Sequence, residues 1–214
     1  MNTDEVKAKI SKLKRTSLGV SVPEMRKLAQ KIAKGNYREF LDSDTFETFE
    51  LRMVHAFVLG YAKDDINILL KYFRAFMPYV NDWAINDALC QNFKQAKIYP
   101  DIVWHFLEQY KHTTNEFESR IISVMLLSHY LTDKYIDRVI KVLDKLNTER
   151  YYAQMGVAWA IATIMGKYPE KCMNYLQSAT CHLDKTTYNK SLQKIRESFR
   201  VGKELKQKVK DMRK

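Results

Sequence analysis

Asp87 and Trp83 are the pair with most promise for chemistry. Asp82 stands before an apolar-periodic run and reads as a helix N-cap, its carboxylate free to accept from the amide N–H groups of a first turn. Ile85, Ala88, Leu89 and Phe93 then repeat at helical spacing and form one core face. Trp83 and Asp87, four residues apart, fall one above the other on roughly the opposite face. A large ring beside a carboxylate on a polar face is unusual. It reads either as a functional pair or as a tryptophan covering a neighbouring element next to a solvated aspartate.

Two further positions invite the same question. Arg120 precedes the apolar run Ile121-Ile122-Ser123-Val124. It reads as a cation snorkelling at the rim of the core, or as a phosphate contact. Trp159 lies in Tyr151–Ala160, a stretch apolar all round, where an aromatic residue at helical spacing is ordinarily packing.

Other chemistries lack their residues. The five histidines are scattered, with no His-Glu-x-x-His and no Cys-x-x-Cys. Cys172, Cys181 and His182 give only a faint zinc signal. No glycine-rich phosphate loop, dinucleotide fingerprint or Gly-x-Ser-x-Gly elbow occurs.

The elements that would hold these residues are helices. Among 214 residues there are six Gly and four Pro, and few runs alternate apolar with polar. Helices are expected at about 3–15, 22–34, 37–42, 46–61 (capped by Ser43 or Asp44), 64–77, 83–94 and 100–110. Further helices are expected at about 116–130, 133–146 (from Asp133), 149–166 (from Thr148), 169–177, 185–199 and after Gly202. Many short helices with short connections suit a HEAT-like, ARM-type α-superhelix, with a compact irregular bundle as the rival. A single domain over 1–214 is expected, with basic terminal helices at 1–15 and 189–214.

Charge gathers at the two ends. Formal net charge is +11, and residues 189–214 carry ten Lys and Arg against three Asp and Glu. The first fifteen residues add five against two. A polyanion such as nucleic acid is the natural partner of such a surface. An odd number of scattered cysteines and the lack of a signal-like or spanning stretch point to a cytoplasmic protein with no membrane partner.

The ordered set Leu18-Gly19-Val20-Ser21-Val22-Pro23-Glu24-Met25-Arg26, Trp83 with Asp87, Arg120, and Gln154 with Trp159 resembles the AlkD-like DNA alkylation repair family over nearly the whole chain. Well-known members are HEAT-like-repeat DNA glycosylases that excise cationic N3- or N7-alkylpurines. The resemblance implies Asp87 as catalytic carboxylate, Trp83 and Trp159 as lesion and sugar contacts, and Arg120 beside the DNA backbone. It implies double-stranded DNA as partner, no cofactor or metal, and action as a monomer. Two positions depart from the pattern. Met155 and Ala162 stand where family enzymes commonly carry Lys and Arg, and each change removes a positive charge from the expected DNA face. Fewer residues precede Gly19 than in enzymatic members, which points to the branch lacking the minor-groove helix. The alternative expectation is therefore a non-catalytic paralogue or scaffold, with weak, damage-independent DNA binding or a protein partner.

Overall fold

The structure, a computed structural model, describes residues 2–13, 19–43 and 46–214. Among these residues there are fourteen α-helices, one 3-10 turn and no strand. The protein is all-α. By internal packing it divides into two compact units, 1–103 and 104–214.

The first unit contains α1 (Thr3–Leu13), α2 (Val22–Ala33), α3 (Tyr37–Leu41), α4 (Phe49–Tyr61), α5 (Ile66–Phe76), α6 (Trp83–Asn92) and α7 (Gln95–Ile98). Helix α2 packs on α4 and α4 on α6, so these three make a row. Helix α4 is the middle member and is buried along almost its whole length, from Glu50 to Gly60, apart from half-buried Arg52. That is why its sequence is apolar nearly all round. At Gly60 the backbones come close: a Cβ there would stand 2.7 Å from Asn92 Cβ, so only glycine lets α4 and α6 approach this far.

The division falls inside α8 (Pro100–Glu108). The second unit continues with α9 (Glu116–His129), α10 (Ile136–Leu143), α11 (Tyr151–Lys167), α12 (Pro169–Gln177), α13 (Lys185–Glu197) and α14 (Lys203–Lys208). Here α11 packs between α9 and α13, giving a second three-helix row. Its outer helices are amphipathic in the ordinary way: Ile136, Val139 and Leu143 of α10 are buried while Asp137, Arg138 and Lys141 face solvent.

Several helix starts differ from expectation, each for a physical reason. The cap of α4 is Thr48, whose hydroxyl accepts from Leu51 N–H, and not Ser43, whose hydroxyl donates to the Phe40 carbonyl 2.6 Å away. Asp44, the other expected cap, lies outside the described residues, as do Lys14 and Arg15 of the expected first helix. Helix α5 starts from Asp65, because Asp64 is taken by Tyr37 and Arg38. Those hydrogen bonds, from Tyr37 first and then Arg38, hold the Asp64 carboxyl down at about 2. Helix α10 begins at Ile136, since Asp133 accepts instead from the Tyr168 hydroxyl. The short helix α7 has no separate sequence signal, lying directly after Phe93.

Candidate functional site

The expected cap of α6 is present. Asp82 is extended (φ −144°, ψ 143°) and accepts from Ala84 N–H at 2.7 Å. That cap fixes where the helix starts, and so fixes the direction in which its first residue points. Ile85, Leu89 and Phe93 are completely buried, while Ala88 is half-buried. Trp83 is accordingly turned outward, with 52% of its surface exposed. Asp87, one turn on, is half-buried. The structure thus brings Trp83 and Asp87 together on one side of one helix, with the indole reaching further into solvent than the carboxylate.

The last turn of α6 is tied down by groups that sequence reasoning did not single out. Arg26 of α2 donates through Nη1 to the Tyr61 hydroxyl at 2.8 Å and to Asn92 Oδ1 at 3.1 Å. Its guanidinium lies 4.6 Å over the Phe57 ring. Tyr61 donates to the same Asn92 oxygen, and Asn92 Nδ2 donates to the Ala88 carbonyl. A cation, a phenol and an amide therefore run across α2, α4 and α6 next to the Asp87 turn. The sequence sign of this was the position of Arg26 at the end of the Leu18–Arg26 motif.

In the second unit Arg120 is 6% exposed and lies against α11. Its Nη1 donates to the Tyr152 carbonyl at 3.3 Å. Room for its stem comes from Gly156, where a Cβ would sit 3.3 Å from Arg120 Cγ. Glu116, one turn earlier on α9, accepts from Tyr152 N–H. Helix α11 has no side-chain bond from its own N-cap residue Arg150, so this carboxylate from a neighbouring helix satisfies one of its free amides. Sequence reading expected Thr148 to start this helix, but the Thr148 hydroxyl donates to Asp184.

Trp159, at mid-helix in α11, is half-buried, and its carbonyl accepts from the Thr163 hydroxyl. Gln154 and Met155 are half-buried and Ala162 is buried. Helix α11 thus carries Trp159 and holds Arg120, whereas Trp83 and Asp87 belong to the first unit.

Among the described residues no group of His, Cys, Asp and Glu could hold a metal ion. The zinc hint dissolves in detail. Cys172 and Cys181 are free and buried, and burial pushes the Cys172 thiol up to about 12. His182 is exposed and pairs with Asp144 through Nδ1 at 2.8 Å. Among the described residues no helix is long and apolar enough to cross a membrane.

The sequence model of the family described as DNA alkylation repair enzyme matches residues 2–195. The chain belongs to this family. Its role is DNA alkylation repair, and DNA is its substrate class. Comparisons with curated proteins and with solved structures give no match. The family match runs through both units and includes Trp83, Asp87, Arg120 and Trp159. It stops before Arg196 and the basic residues that follow.

Proposed function

We propose that this DNA alkylation repair protein is a glycosylase that removes cationic N3- or N7-alkylpurines from duplex DNA. The observation that carries the reading is the α6 pair: a half-buried carboxylate one turn beneath an exposed indole.

The residue types suit this reaction. In a cationic alkylpurine the C1′–N bond breaks with its electron pair moving onto the base, which leaves neutral, so no strong general acid is required. Positive charge develops on the sugar. Asp87 stabilises that charge and orients the water whose oxygen bonds to C1′, and the water's proton passes to the carboxylate or to solvent. The products are a free neutral base and an abasic site. Trp83 and Trp159 offer ring faces to the cationic lesion nucleotide. Arg120 supplies positive charge beside the backbone and holds the start of α11.

In architecture we read each row, α2–α4–α6 in the first unit and α9–α11–α13 in the second, as the inner helices of HEAT-like pairs belonging to one domain over 1–214. A single family model running through both units supports one domain. The chemistry draws on no cofactor, and we place the protein in the cytoplasm, acting as a monomer.

The test is release of N7-methylguanine and N3-methyladenine from alkylated duplex DNA by the full chain. Base release above the buffer rate, with none from undamaged DNA, is expected. Release no faster than buffer defeats the enzyme reading. It would favour a second reading, a scaffold that binds DNA without regard to damage, for which Met155 and Ala162 speak by lacking the charges of family enzymes.

A further inference from the structure

Where the family match ends, the second unit has a cleft of about 490 Å³ between α13 and the last residues of the chain, with Arg196 and Arg213 beyond the matched residues. Lys185, Asn189, Lys190, Gln193 and Arg196 of α13 line one side, and Arg213 lies on the other. Among the described residues no Asp or Glu lines it. Lys185, Asn189, Gln193 and Arg196 follow one another at helical spacing, so they form a stripe about 16 Å long at 1.5 Å per residue.

The opposite wall is anchored. Lys214 Nζ donates to the Cys181 carbonyl at 2.7 Å and the Leu183 carbonyl at 2.8 Å, and lies 5.0 Å over the Tyr188 ring. Lys214 N–H donates to Asn189 Oδ1 at 3.4 Å. Arg213 is thereby held facing α13. Of the nearby carboxylates, Glu197 pairs with Lys194 and accepts from Gln193 Nε2, and Glu204 pairs with Lys208. Lys185, Arg196 and Arg213 form no ion pair among the described residues. Four cations held around one cleft repel one another, and an anionic chain laid along the stripe relieves that repulsion.

We propose that this cleft is a second DNA-contact site, which holds the sugar–phosphate backbone of one strand without regard to the lesion. It rests on DNA as the substrate, not on Asp87 chemistry. An elongated run of cations along one helix matches a row of phosphates better than a single anion. Asn189 Nδ2 donates to the Lys214 carbonyl oxygen and Gln193 Nε2 to Glu197 Oε1, which leaves each amide a second N–H for phosphate or sugar oxygens.

The test is fluorescence anisotropy of the full chain with an undamaged duplex oligonucleotide, between about 50 and 300 mM salt. Arg196→Glu/Arg213→Glu is compared with Lys141→Glu/Lys145→Glu, which changes net charge equally at exposed positions elsewhere in the unit. The cleft variant is expected to bind at least about tenfold more weakly at low salt and to lose about two from the slope of log affinity against log salt. The milder Arg196→Gln/Arg213→Gln is expected to fall between it and wild type, with thermal unfolding unchanged in all three. Equal losses in the cleft and control pairs, or an unchanged slope, overturn the proposal. So does binding to anionic phospholipid vesicles in place of DNA. If wild type releases no base yet the slope falls as stated, the glycosylase reading fails and the cleft assignment stands.

Discussion

Helix α6 carries Trp83 at its first residue, outside the row of packed helices, whereas α11 carries Trp159 at mid-length and half inside its row. The ends of the two helices are also secured differently. Helix α6 is capped by the residue just before it, Asp82, and α11 by Glu116, which lies 36 positions away on α9. The seats differ too. Helix α6 rests on α4, whose His55 is buried among Phe40, Phe46 and Phe76. Helix α11 rests on α9 and α13, whose buried polar residues are Ser119, Arg120, Ser123, Thr187 and Ser191, with no histidine or carboxylate among them. A tryptophan outside the packing is available for a ligand at little cost to the fold. One inside the packing carries structure as well.

The largest effect expected from this difference is a response to acid that begins in the first unit. Burial lowers the His55 pKa to about 3. The unfolded chain, with an ordinary histidine near 6.5, takes up its proton first as pH falls. Stability is therefore full above pH 6.5 and is lost progressively down to about pH 3, by on the order of 5 kcal/mol. Hydrogen exchange of α4 and α6 should quicken over that range before that of α9 and α11, and His55→Phe should remove the difference. In the second unit burial pushes the Asp144 carboxyl up, but hydrogen bonds from Tyr175 and His182 outweigh it and hold the pKa below the ordinary value. Its contribution is untouched between pH 6.5 and the usual carboxylate value, and is lost as pH falls from there through the lower folded value.

Next in size is the contrast between the two indoles. Trp159→Ala should cost about 2 kcal/mol in denaturant unfolding, because a half-buried ring leaves a void between packed helices. Trp83→Ala should cost less than about 0.5 kcal/mol while still lowering base release. Equal costs would mean that the exposed indole is a packing residue and would remove it from the site.

The two glycine contacts give a smaller but clean comparison. Gly60→Ala places a carbon 2.7 Å from Asn92 Cβ and 3.0 Å from its carbonyl carbon, which only a backbone shift can relieve, so a loss of about 2 kcal/mol is expected. Gly156→Ala meets Arg120 Cγ and Ser123 Cβ at 3.3 Å. The Arg120 stem can give and α9 need shift by only a few tenths of an ångström, while the helix gains about 1 kcal/mol from alanine, so the net change should be near zero. Calorimetric melting of both variants checks the pair.

The all-helical class, the Asp82 cap and the burial of Ile85, Leu89 and Phe93 were legible because each depends on residues within one or two turns. The exposure of Trp83 followed from the same local pattern. What escaped was set at a distance. Thr148, Asp133 and Asp64 look like caps, but each spends its side chain on a partner elsewhere in the chain. Glu116 capping α11 and Arg26 reaching Asn92 join residues with no shared local pattern. The Gly60–Asn92 contact was invisible because a glycine inside a helical run says that something comes close, not what does.

The central claim is that the carboxylate on α6 does chemistry and does not merely support binding. Single-turnover release of N7-methylguanine from alkylated duplex DNA, at saturating protein, tests it most directly with wild type and Asp87→Asn. The account predicts that Asp87→Asn slows release by about a hundredfold or more, with DNA affinity unchanged. Release by Asp87→Asn at the wild-type rate would contradict it.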